Sequence, residues 1–357
     1  MAADSKQPPP LAEKRYTLPP EWASQSGVML AWPTAESDWG PWLKEVETVY
    51  LNIAREIAHR EKLLVVCHCL NHLAQVKNQL AQQNINPASL SLHVVPFNDT
   101  WVRDYGPLGC LGLEGQLQLL DFVFDGWGGK YEAKLDNEVT ARLHEQGVFG
   151  AVPLKRSQLT LEGGSIEVDG AGSLLTTTRC LLSGTRNRGL GQAAIEAQLK
   201  QWLGVERILW LRHGQLSGDD TDGHIDTLAR FCNPQTICYV ACDDPKDEQY
   251  LELQAMAEEL RLLQTLGGIP YRLVPLPWPD PKFSANGERL PASYANFLII
   301  NGAVLTPTYR DSADTQALSI LQTCFPDRQV VGIDCLPLIQ QYGSLHCITM
   351  QLPAGIL

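Results

Sequence analysis

FLIINGAVLT at residues 297–306, a helically spaced segment over residues 314–323, and QVVGI at residues 329–333 decide the fold class. The outer two are short runs of β-branched and apolar side chains, which suit the pleated, half-buried surface of a strand. The segment between them repeats apolar positions at the spacing of one helix face. Strand, helix, strand in that order is the building unit of an α/β fold. Further runs read as strands at residues 63–67, 92–95, 117–124, 174–178, 207–211, 236–241, 271–274 and 347–352, and helical spacing recurs over residues 43–58, 192–202 and 248–266. The unit therefore repeats, with extra strands between, although no strict sequence period is visible.

The chain has 357 residues, 44% of them hydrophobic and nine of them Trp, so it can bury a substantial core. No Ser/Gly-rich linker or charge block divides it, and the prolines at residues 275–281 read as a surface loop, which leaves a single domain over residues 15–357. Residues 1–14, polar and Pro-rich over the first ten, read as a flexible tail. Forty acidic against 28 basic side chains give a net charge of −12, which argues against nucleic acid or an anionic membrane as partner and suits a small cation. A homo-oligomer is compatible with the sequence. No apolar run approaches the ~20 residues of a membrane helix, and the first thirty residues lack the pattern of a secretory signal. The ten cysteines are then expected as reduced thiols in a cytoplasmic protein.

Four separated segments carry residues able to do chemistry. Residues 101–107, Trp-Val-Arg-Asp-Tyr-Gly-Pro, end in a turn-like sequence in which Asp104 reads first as the acceptor of a local Asx bond, and Trp101 as core. His224 and Asp226 stand two apart, so on an extended strand they would share a face. A half-buried strand with a polar face explains them equally, and Asp219, Asp220 and Asp222 nearby leave a divalent metal site open. Glu162 precedes Gly163 and Gly164, a pair that lets backbone pass close to a neighbour or ligand, and the glutamate could orient a histidine. Cys347 is core filler or nucleophile; its neighbourhood alone does not decide. Cys67 and Cys69, near His68 and His72, lack a second cysteine pair at zinc spacing, and Cys180, Cys232, Cys238 and Cys242 read as packed thiols.

Taken in order, these segments resemble the agmatine deiminase family, related to the bacterial peptidylarginine deiminases. The resemblance runs from Leu18, Pro19, Pro20, Glu21 and Trp22, through Leu30, Ala31, Trp32 and Pro33, to Asp38 and Trp39. It continues through residues 101–107, 162–169, 223–226 and 292–296, Asn301 with Gly302, and residues 343–347. It implies a pentein fold, a five-bladed α/β propeller of ββαβ units around a central site. It also implies Cys347 as nucleophile, His224 as general acid and base, Asp104 and Asp226 as the carboxylates that grip a guanidinium, and Glu162 as their support. Asn296 and Trp101 match pocket positions, and Asp38 is the candidate for the far end of the substrate.

A guanidinium is planar and rich in N–H donors, which two carboxylates can clamp with matched, charge-assisted bonds. The implied reaction converts agmatine to N-carbamoylputrescine and ammonia, a step toward putrescine, through an amidino-cysteine and with no metal or cofactor. Three alternatives stand beside it. Deimination of peptidyl arginine would use the same core with a carboxylate-binding pocket. A metal-dependent amidinohydrolase would use residues 219–226 but needs a second ligand cluster that the sequence does not offer. A non-catalytic guanidine-binding protein would not need every catalytic residue type, and all are present.

Overall fold

The stretch read as one strand over residues 297–306 is a hairpin. Leu298–Ile300 and Ala303–Thr308 pair antiparallel across Asn301 and Gly302, and Gly302 supplies the left-handed φ of +73° that the two-residue turn requires. Helix Asp314–Cys324 follows, and Gln329–Asp334 then pairs parallel with the second hairpin strand. The expected strand, helix, strand unit is therefore ββαβ. The structure, a computed structural model, describes residues 16–357, so the expected tail at residues 1–14 lies outside the described residues.

The same order recurs along the chain. Leu108–Gly112 and Leu117–Val123 pair antiparallel, and Leu154–Thr160 joins in parallel after helix Asp136–Glu145, with Tyr16–Thr17 on the outer edge. Glu167–Val168, Ser173–Thr177 and Arg207–Leu211 repeat it around helix Gln192–Leu203. Ala229–Asn233, Thr236–Val240 and Arg272–Leu276 do so around helix Tyr250–Arg261. In the fifth sheet the two ends of the chain meet. C-terminal Met350–Pro353 runs antiparallel to Gln25–Ala31, which pairs in parallel with Lys62–Cys67 after helix Leu43–Ala58; helix Leu70–Gln82 then leads to Leu90–Val94. Among the described residues these five sheets and the short ribbon of Lys282–Phe283 with Arg289–Leu290 are all open, none closing on itself. The molecule is a single α/β domain.

Parallel strands lie between helix and core, so they read as continuous apolar runs. Leu63 to Cys67 and Val28 to Ala31 are buried throughout. Helix Leu43–Ala58 turns Val46, Val49, Tyr50, Ile53, Ala54 and Ile57 inward at the spacing of one face. Each large side chain so buried stabilises the fold by roughly 1.5–3 kcal/mol. No helix among the described residues is long and apolar enough to cross a membrane, and all ten cysteines are free thiols.

Two expectations of extended structure are corrected. Residues 225–227 form a 3-10 turn, Ile225–Thr227, and Cys347 lies in a turn before the strand that starts at Met350. Both turns belong to the connections that lead from the last strand of one sheet to the first strand of the next. There are five such connections, and each brings in a residue singled out from sequence: Asp104 between Val94 and Leu108, Glu162 between Thr160 and Glu167, His224 and Asp226 between Leu211 and Ala229, Asn296 between Leu276 and Leu298, and Cys347 between Asp334 and Met350.

Candidate active site

Asp104 reaches the centre on a one-turn helix, Val102–Tyr105. That turn is tied at both ends. Asp136 at the start of helix Asp136–Glu145 accepts from the backbone N–H of Asn98 (2.7 Å) and Asp99 (3.1 Å), and the Arg103 N–H donates to the Cys347 carbonyl (3.2 Å). The Asp104 carboxylate makes no Asx bond to its own turn. Its Oδ1 accepts from the Gly164 N–H (2.9 Å) and its Oδ2 from the indole N–H of Trp127 (2.9 Å).

The two glycines after Glu162 are there for close approach. A Cβ on Gly163 would stand 2.1 Å from the Arg103 carbonyl oxygen. A Cβ on Gly164 would stand 2.7 Å from His224 Nδ1, 2.8 Å from Asp104 Oδ1 and 3.1 Å from Asp226 Oδ2. Gly164 is thus the bare floor on which three functional groups converge.

His224 lies between carboxylates, with Nδ1 3.6 Å from Asp104 Oδ1 and Nε2 3.3 Å from Glu162 Oε2. Burial disfavours its charged form, but Asp104, then Cys180 and Glu162, hold it well above its ordinary value, so it stands as imidazolium. Glu162 stays ionised despite burial, held down by His224 and by Arg186, whose Nε donates to both carboxylate oxygens (2.7 and 2.9 Å). Arg186 is itself fixed by Asp222 Oδ2 (2.7 Å) and the Thr221 carbonyl (3.0 Å).

Cys347 is 7% exposed, and its sulfur touches Asn296 Nδ2 at 3.2 Å and Asp226 Oδ2 at 3.7 Å. Burial, Asp226 and Asp104 push its thiol well above the ordinary value. Asp226 Oδ2 also pairs with His346 Nδ1 (2.8 Å), while Oδ1 is buried without a hydrogen-bond partner. Burial works against the Asp226 charge, but His346 and His224 hold its carboxyl below the usual range. Asp104 goes the other way: burial pushes it up to about 6, opposed by His224 and reinforced by Asp226 and Glu162. An acceptor left unpaired in the interior is costly, and Asp226 Oδ1 marks where a donor belongs.

Cys347 and Asp104 open onto a pocket walled by Trp101, Trp127, Tyr131 and Tyr342 and rimmed by Asp38, Asp219 and Asp220. His224, Asp226, Glu162 and Asn296 are buried next to these groups and do not themselves line the pocket. Gly343 lets the Trp101 ring pack on the backbone, since a Cβ there would meet the ring at 2.1 Å. Asp38 is exposed at the rim, joined to Gln341 only through its carbonyl oxygen (3.0 Å). The acidic run that left a metal site open diverges: Asp219 caps Thr221 and Gly223 (3.1 and 2.6 Å), Asp220 accepts from Tyr131 (3.0 Å), and Asp222 takes Arg186 and Lys130. Among the described residues the donors close enough to share one ion are Glu162, Cys180 and His224, and Arg186 already occupies that glutamate.

Sequence reading missed Trp127, Cys180, Arg186 and His346. Trp127 stood in a visible signal, the Gly-Trp-Gly-Gly of residues 126–129, whose φ values of +72°, +58°, +83° and +83° turn the indole inward. Cys180, read as a packed thiol, is buried, but it lies against Glu162 Oε2 (3.5 Å). His346 was visible beside Cys347. Arg186 sits in a polar loop with no local pattern to mark it.

The family model of Porphyromonas-type peptidyl-arginine deiminases matches residues 17–353. A Porphyromonas gingivalis protein provisionally described as an arginine deiminase superposes with a TM-score of 0.89 at 50% identity, over 95% of this chain and 99% of that one. A cysteine-to-serine variant of the C. jejuni agmatine deiminase, solved with substrate bound, does so with a TM-score of 0.87 at 36% identity, over 94% and 96%. A Vibrio parahaemolyticus protein provisionally named an agmatine deiminase is 35% identical over 96% of this chain and 98% of its own. The chain belongs to the Porphyromonas-type peptidyl-arginine deiminase family.

Proposed function

We propose that this protein is an agmatine deiminase, hydrolysing agmatine to N-carbamoylputrescine and ammonia. The observation that carries the reaction type is the convergence of Asp104, Asp226 and His224 above Gly164, with the Cys347 sulfur 3.7 Å from Asp226 Oδ2. The guanidinium N–H groups meet Asp104 and the unpartnered Asp226 Oδ1, which holds the carbon before the sulfur. Burial, then Asp226 and Asp104, keep the Cys347 thiol protonated; the substrate cation offsets the carboxylates, so the thiolate forms as the complex forms and its proton passes to solvent. Thiolate attack gives a tetrahedral adduct, and the imidazolium of His224 protonates the departing nitrogen, which leaves as ammonia. An amidino group remains on sulfur. Neutral His224 then takes a proton from water as the water attacks that carbon, and collapse breaks the C–S bond while the remaining hydroxyl proton passes to sulfur, giving the thiol and a neutral urea product. Glu162, anchored by Arg186, keeps the ring in place through both halves.

The pocket rim supports agmatine over arginine. Asp38, Asp219 and Asp220 receive the terminal ammonium, and no Arg or Lys lines the pocket to receive an α-carboxylate. The name of the matched family favours peptidyl arginine as the second reading. Ammonia release from agmatine, arginine and a peptide ending in arginine separates them, and preference for the peptide rejects agmatine. We also read the five ββαβ sheets as the blades of a five-bladed pentein propeller, because each connection between sheets contributes to one site. Ten free thiols fit a cytoplasmic location, and the product lies one hydrolysis from putrescine.

A further inference from the structure

The rear of the clamp is charged too, and no step above uses it. His346, immediately before Cys347, has a carboxylate at each ring nitrogen: Nδ1 is 2.8 Å from Asp226 Oδ2 and Nε2 is 2.8 Å from Glu21 Oε1. Glu21 arrives on the segment that precedes strand Gln25–Ala31. Its carboxylate is saturated, accepting also from Arg103 Nη1 (3.2 Å), Gln351 Nε2 (2.9 Å) and Arg230 Nη2. Arg230 is held in turn by Glu167 and by the carbonyls of Ala295 (3.1 Å) and Phe297 (2.8 Å).

A neutral imidazole has one N–H. Burial opposes both neighbouring charges, but apart from the ring itself Arg230 and Arg103 favour the Glu21 carboxylate, and His224 and Arg230 that of Asp226. Two such acceptors at 2.8 Å call for two N–H donors. Burial, then Arg103 and Arg230, press the ring toward its neutral form, while Glu21 and Asp226 oppose them. The geometry decides for the cation, because a neutral ring would set a lone pair against a carboxylate oxygen in the dry interior. Glu167, which burial pushes up to about 8, faces Arg230 and not the ring.

We propose that Glu21 is a positioning residue: through His346, kept doubly protonated, it holds Asp226 ionised and turned so that Oδ1 meets the substrate guanidinium. The proposal rests on the deiminase reading above. It makes the segment before the first core strand part of the reaction without touching substrate, and it gives Asp226 a resident counter-cation before the substrate arrives.

Histidine labelled with nitrogen-15 reads the ring without substrate, His346 being assigned by its loss in His346→Asn. At pH 7.5 the unmodified protein should give the paired signals of an imidazolium, and Glu21→Gln those of a neutral ring. In Glu21→Gln, kcat/KM for agmatine should fall at least about tenfold, with the acid limb that Asp104 sets near pH 6 unmoved. Glu21→Asp, which keeps the charge, should recover most of the rate and the imidazolium signals. If Glu21→Gln does not fold, His346→Asn carries the same expectation for kcat/KM. A neutral His346 in the unmodified protein overturns the proposal, and so does a Glu21→Asp variant that shows the imidazolium yet is as slow as Glu21→Gln. An unmodified protein that shows the imidazolium but releases no ammonia from agmatine sinks the substrate reading and leaves the Glu21 contact supported.

Discussion

Gly164→Ala adds one methyl group at the point where the reaction is proposed to occur. The new carbon would stand 2.7 Å from His224 Nδ1 and 2.8 Å from Asp104 Oδ1, against ordinary contact beginning at 3.4 Å, so those groups must move by 0.7 and 0.6 Å. Neither is free to do so. His224 is held by Glu162 at 3.3 Å and Asp104 by Trp127 at 2.9 Å. Backbone strain is not the issue, since Gly164 is not among the residues with left-handed φ. Overpacking of this kind costs about 1–3 kcal/mol of stability, so the variant should fold, with its melting temperature a few degrees lower. The chemistry suffers more. Misplacing reacting groups by close to 1 Å costs about a hundredfold in rate, or ~2.7 kcal/mol of barrier. Ammonia release from agmatine at subsaturating concentration measures kcat/KM, and thermal unfolding measures the fold. A folded Gly164→Ala enzyme with kcat/KM within threefold of the parent would show that the guanidinium does not sit above Gly164, and the proposed clamp would fail with it.

Asp226→Asn removes the carboxylate that weighs most on the Cys347 thiol, so turnover should be lost while alkylation of Cys347 by iodoacetamide at pH 7.5 speeds up, about tenfold for each pKa unit. Peptide mass spectrometry reads Cys347 apart from exposed Cys69, and slower alkylation would contradict the assigned repulsion. The acid limb of kcat/KM should fall near pH 6, where Asp104 takes up its proton, and should lie lower in kcat because bound guanidinium favours the carboxylate. The stability consequences have opposite signs. Asp104, raised from 3.8 to about 6, contributes stability below pH 3.8 that is lost as pH rises through 6, whereas Asp226 and Glu162, held down, contribute stability that is lost as pH falls through their lowered values. Chelator should leave turnover unchanged while alkylation abolishes it; the reverse would return the metal-dependent hydrolase. Protein quenched during turnover should carry an amidino mass on the peptide that contains Cys347, and agmatine turnover by Cys347→Ala would remove that residue as nucleophile.

Strands buried on both faces were legible because they leave continuous apolar runs, as at residues 63–67, and helix Leu43–Ala58 because a broad face of it is buried. Helix Leu70–Gln82 was not, since only His72, Val76 and Leu80 are buried in a polar segment, a stripe too narrow to stand out. The hairpin at Asn301 and Gly302 hid inside a single apolar run because both of its strands are core. At the site, residue types were legible and local geometry was not. Spacing read His224 and Asp226 as sharing a strand face, but a 3-10 turn presents them. Arg186 and Glu21 have roles that exist only in the folded state, where Arg186 meets Glu162 across 24 residues and Glu21 meets His346 across 325.

On the proposed reaction, the distribution of charge matches a thiol buried among carboxylates to a guanidine substrate. Without a cation in the clamp, burial, then Asp226 and Asp104, keep Cys347 protonated, which would suppress the proposed nucleophile toward neutral groups such as ureas. In the proposed complex a guanidinium supplies positive charge beside both carboxylates and so favours the thiolate that would attack it. The two carboxylates have different parts in this. Asp226, paired with His346, is ionised in advance and fixes orientation, whereas Asp104, poised near 6, has a charge that the substrate itself strengthens. Hydrolysis then turns the cation into a neutral urea, which no longer offsets either carboxylate. The thiol regains its proton and the clamp loses its hold in the same step, so product release follows from the charge change that the reaction makes.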